Sequence, residues 1–164
     1  MNKLLLSLLA FGLVFSAPAA AVGTDDLPAD TIWYLHADLA GMRASNSGGE
    51  LYRWLQGEVF VEINEETGID ISRELDRVTA YSAEGPGVTV VLEGPVSKET
   101  QDKLMAIMAM HSEYDVRAHK NKTYYYAADA DAKPDRGDPL GNLSEAAFVS
   151  FALKNKVVIT SAEG

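Results

Sequence analysis

The sequence predicts an α+β domain, a ferredoxin-like β-α-β-β-α-β two-layer sandwich whose antiparallel sheet is extended by C-terminal hairpins. Three observations predict it. Strand-like runs with period-2 alternation are separated by two longer segments with apolar residues at helical spacing. A Gly/Pro turn joins the second and third strand-like runs. Two short hairpins sharing the turn "KNK", 34 residues apart, close the chain.

The first strand is "TIWYLHADL", Thr31 to Leu39. Alternation puts Trp33, Leu35, Ala37 and Leu39 on one face and Ile32, Tyr34, His36 and Asp38 on the other. "ASNSGG" reads as a loop. In "ELYRWLQGEVFVEINEETG" the apolar positions Leu51, Trp54, Leu55, Val59 and Ile63 predict an amphipathic helix, with Ser47 as its cap and Gly68 as its stop. Gly57 in its interior weakens it by about 1 kcal/mol relative to Ala.

"RVTAYS" and "GVTVVLE" flank "AEGP" and form a hairpin. "SKETQDKLMAIMAMH" opens on Ser97 and carries Leu104, Ile107, Met108 and His111 at helical spacing, a second helix whose methionines fill core gaps. "AHKNKTYYYA" and "ALKNKVVITS" are the closing hairpins, since Asn tolerates the left-handed conformation that a tight turn requires. Between them, residues 128–146 are acidic and rich in Pro and Gly, a long loop. The chain stops directly after a strong strand, which points to a truncated domain.

The address is written at the N-terminus. "MNKLLLSLLAFGLVFSAPAAA" has a lysine, a twelve-residue apolar run from Leu4 to Phe15 and an A-x-A exit at Ala19 and Ala21. This is the pattern of a signal peptide over residues 1–21 with Val22 as the mature N-terminus. The run falls short of the roughly 20 residues that span a bilayer, so the expected product is not an integral membrane protein. Residues 22–164 then form one domain, periplasmic or secreted from a bacterium.

The formal charge of −10 repels nucleic acid phosphates, which excludes nucleic acid as a partner. Cysteine is absent, so disulfides, thiolate metal ligands and thiol nucleophiles are excluded as well.

"LPADTIWYLHADLAGMR", the Gly68-Ile69-Asp70 turn before a strand, and the "NKTYY" hairpin together resemble a group of exported bacterial proteins with an N-terminal LPADTxxYxHxDL-type strand. The resemblance covers most of the mature chain. It implies the architecture and the address. The group has no assigned activity, so no residue role carries over.

The chemistry-bearing residues are few. Asp129, Asp131, Asp135 and Asp138 fail the calcium-loop spacing, because Lys133, Pro134 and Leu140 fall where a ligand, a glycine and an acid are required. They read as a solvated acidic loop. His36 and Asp38 share a strand face and could reach one metal ion, but zinc needs three or four ligands, so no metal site is expected. Neither a catalytic nucleophile motif nor a cofactor motif is present.

What survives is a surface. With both helices on the Trp33 side, the opposite sheet face collects Tyr34, His36, Asp38, Tyr81, Arg117 and His119, joined by Thr79, Thr89, Val91, Tyr124 and Tyr126. That mixture of aromatic and hydrogen-bonding groups suits recognition of a protein or a small ligand. The expected function is therefore non-catalytic binding through the open face. The alternative is a metal-dependent or other hydrolase centred on His36 and Asp38.

Overall fold

In the computed structural model, residues 27–83, 87–111, 113–128 and 146–161 are described. The expected signal peptide, residues 1–21, and the aspartates Asp129, Asp131, Asp135 and Asp138 lie outside these residues. Strand β1 (Trp33–Asp38) runs into three helical segments, α1 (Leu39–Ala44), α2 (Asn46–Leu55) and α3 (Val61–Thr67), followed by the single turn α4 (Ile71–Glu74). Then come β2 (Arg77–Ser82), β3 (Thr89–Glu93), helix α5 (Lys98–His111), β4 (Glu113–His119), β5 (Lys122–Ala128), β6 (Ala146–Leu153) and β7 (Lys156–Thr160).

The helical region starts earlier than its hydrophobic pattern suggests. Asp38 caps α1 by accepting from Gly41 N at 2.9 Å, and Ser45 caps α2 by accepting from Gly48 N at 3.0 Å. The "ASNSGG" stretch is thus mostly helix, and the cap is Ser45 rather than Ser47. Two short polar side chains satisfy orphan amides there and outweigh the low propensity of the Gly48-Gly49 pair.

A five-residue π-helical turn, Gln56–Phe60, links α2 to α3 and contains Gly57. By taking up an extra residue per turn it rotates the apolar face. Tyr52, Val59, Phe60 and Ile63 are buried, whereas Trp54 is 43% exposed. Gly68, at φ 69°, ends α3 as expected.

These side chains form the core by packing on Val78, Ala80, Val88 and Val90 of the sheet, with Trp33, Ala37, Leu92 and Ile159 partly buried around them. Tyr52 and Phe60 meet edge to face, ring centroids 5.8 Å apart. Arg43 ties the layer to the loop before β2. Its guanidinium donates to Leu75 O at 3.0 Å and pairs with Asp76 at 2.6 Å, while Tyr52 Oη donates to Ser72 O at 3.0 Å.

Helix α5 lies on the same side, since Lys103 Nζ donates to Gly68 O at 2.7 Å. Its start is held by Glu74, whose carboxylate accepts from Ser97 N at 2.9 Å and from Ser97 Oγ at 3.0 Å.

Among the described residues, seven strands form one antiparallel sheet in the order β1-β2-β3-β7-β6-β5-β4. The ferredoxin-like interleaving expected from the element order is not present. That arrangement requires a strand inserted between two parallel ones. Here residues 39–74 return the chain antiparallel beside β1, in register from Trp33↔Ser82 to Asp38↔Arg77, so among the described residues β1 is an edge strand with β2 as its neighbour. Helix α5 then carries the chain from β3 to the opposite edge, and the meander β4-β5-β6-β7 comes back to pair β7 with β3.

Both KNK turns have the asparagine left-handed, Asn121 at φ 63° and Asn155 at φ 57°. Lys120 at φ 46° makes the first a two-residue turn of the I′ kind.

Candidate functional site

The register determines which side chains share the face away from the helices. Directly opposed residues of antiparallel neighbours point to the same side. One row runs Tyr34, Tyr81, Thr89, Thr160, Phe148, Tyr126, Asp115 across all seven strands. The next row begins His36, Thr79, Val91, Val158, Ser150 and ends with Tyr124 opposite Arg117. The parity read from β1 therefore holds: Trp33 packs against the core, and Tyr34 is 53% exposed on the other side.

The expected residues share a face but do not form one patch. Tyr34 and His36 are on β1 and Arg117 and His119 on β4, the two edges of the sheet. Six strand spacings separate them, about 29 Å. The one surface expected from Tyr34, His36, Asp38, Tyr81, Arg117 and His119 is thus corrected to two clusters. The sequence pattern fixed the face of each strand, whereas the position of β4 depends on where α5 delivers it.

At the β1 end, His36 Nδ1 lies 2.9 Å from Thr79 Oγ1, and Thr79 is nearly covered, at 7% exposure. Burial lowers the His36 pKa. Asp38 and Glu93 pull it upward and Arg77 pushes it further down, leaving it below the ordinary value. The imidazole is therefore neutral at neutral pH. Asp38 spends one carboxylate oxygen on the α1 cap. Among the described residues no group of three His, Cys, Asp or Glu is placed to hold a metal ion. At the end of this cluster, Lys156 pairs with Glu93 at 2.7 Å.

At the β4 end, Arg117 Nε donates to Asp115 at 3.1 Å, and its guanidinium carbon lies 4.4 Å from the Tyr126 ring centroid and 5.6 Å from that of Phe148. Phe148 also meets Tyr126 at 5.0 Å and Tyr124 at 6.0 Å, ring to ring. This is a cation on an aromatic platform, the denser of the two clusters. His119 sits exposed at the end of β4, beside the turn.

Phe148 is not among the residues expected on this face, although the alternation in "AAFVSFAL" carries the signal. It sets Phe148 and Ser150 opposite to Val149 and Phe151.

No family model matches the chain, and comparison with curated proteins and with solved structures finds no similar protein. Among the described residues, no helix is long and apolar enough to cross a membrane.

Proposed function

We propose that this chain is an exported, non-catalytic protein that binds a protein or a small ligand through the open face of its sheet, chiefly at the Arg117 cluster. The observation that carries the reading is the stacking of Arg117 on Tyr126 and Phe148 on the face away from the core-forming helices. Arginine and aromatic side chains dominate interface energies, because they bring large contact area and directed donors at modest entropic cost. The N-terminal pattern and the resemblance of the "LPADT" segment to exported bacterial proteins support the periplasmic or secreted address.

The test is affinity capture from the periplasmic fraction of the native host with wild type, Tyr34→Ser and Arg117→Ala. Loss of the captured species with Arg117→Ala, at an unchanged melting temperature, is the expected result. A captured species retained equally by all three proteins overturns the reading.

A further inference from the structure

Strand β4 lies at one end of the strand order. We propose that β4 pairs antiparallel with β4 of a second copy about a two-fold axis through Val116, joining the two sheets edge to edge. Among the described residues β4 pairs with β5 alone, and every residue of β4 except the half-buried Arg117 is exposed.

The direction of the free backbone groups follows from the turn. A two-residue I′ loop closes on a hydrogen-bonded pair, here His119 and Lys122. Alternation then turns the N–H and C=O of Glu113, Asp115, Arg117 and His119 toward β5, and those of Tyr114, Val116 and Ala118 outward. A two-fold axis at Val116 makes Val116 face Val116 of the second copy as a hydrogen-bonded pair, and Tyr114 face Ala118 likewise. The outward groups of all three residues are satisfied.

Charge selects this register over its neighbours. Centred on Val116, Asp115 stands opposite Arg117 of the second copy, and Glu113 opposite His119. Centring on Tyr114 opposes Glu113 to Asp115, and centring on Asp115, Arg117 or Ala118 opposes like charges or the two basic residues Arg117 and His119. Charged residues on an edge strand usually deter pairing. Here they are self-complementary, and the Asp115–Arg117 contacts fall in the non-hydrogen-bonded pairs, where side chains approach most closely.

The pairing also shelters exposed apolar groups on the helix side. Val116 is 56% exposed, and Tyr114, 38% exposed, is stacked on Tyr125 at 6.1 Å. Two such surfaces would meet at the axis. On the opposite side the two Arg117 clusters would become neighbours, doubling the recognition face.

Sedimentation velocity over a concentration series is the test. Wild type should show a monomer–dimer equilibrium. Val116→Pro should be monomeric with an unchanged melt, because the N–H it removes points away from β5. Asp115→Lys should weaken dimerisation by about tenfold, and the double variant Asp115→Lys with Arg117→Asp should restore it to within about threefold. Should Val116→Pro fail to fold, the charge pair decides. A monomer at every concentration, or a dimer indifferent to the charge reversal, overturns the proposal.

Discussion

The Arg117 guanidinium carbon stands 4.4 Å from the Tyr126 ring centroid, held there by a side-chain hydrogen bond to Asp115 at 3.1 Å. Asp115 and Arg117 are two apart on β4, and Tyr126 is directly across from Asp115, so the stacking follows from the strand register. An arginine fixed in this way loses little freedom when it meets a partner.

Arg117→Ala is therefore expected to change stability by about 1 kcal/mol or less, the scale of a cation–π contact plus an exposed ion pair. Binding should suffer more. A melt and an affinity measured on the same preparation separate the two effects.

Strand parity in β1 predicts opposite consequences for adjacent residues. Trp33→Ala is expected to cost about 3 kcal/mol, the low end for a buried tryptophan, because Trp33 is only partly covered by the core. Tyr34→Ser should stay within about 1 kcal/mol of wild type. Chemical denaturation of both variants checks this.

Gly94 is required by space and by backbone. At φ 156° it sits so close to the end of α4 that an added Cβ would overlap Glu74 O and meet Leu75 Cα at 2.9 Å. The amide of Asp76 donates to Glu93 O at 2.7 Å beside it, which locks the approach. Gly94→Ala should destabilise by about 3 kcal/mol or more, read as a drop in the denaturation midpoint.

His36 gives stability a pH dependence. Its folded pKa is below the unfolded value of about 6.5, so between the two the unfolded chain binds more protons. Stability from this group is complete above about pH 6.5 and is lost as pH falls through the folded pKa. His36→Asn should flatten the melting temperature between about pH 7 and pH 5 relative to wild type.

The features of the fold legible in the sequence are those that depend on neighbours in the chain. Alternation placed Tyr34 and Trp33 on opposite faces, Gly68 ended its helix, and Asn121 and Asn155 formed left-handed turns. Strand order was not legible. Nothing local distinguishes a β4 that inserts beside β1 from one carried by α5 to the far edge, and that choice alone separates Tyr34 from Arg117. The burial of Tyr52 in place of Trp54 was equally hidden, because the π-helical turn at Gln56–Phe60 shifts the apolar face without any proline to announce it.

Recognition at the β4 end of the open face is open to photo-crosslinking from single positions during incubation with native periplasmic extract. A benzophenone side chain replacing Tyr124 or Tyr126 reports the open face, and one replacing Val61 or Met110, both exposed on the helix layer, reports the other side. One discrete adduct from Tyr124 and Tyr126 and none from Val61 or Met110 is the expected result; an adduct from the helix layer with none from the open face rules out recognition there.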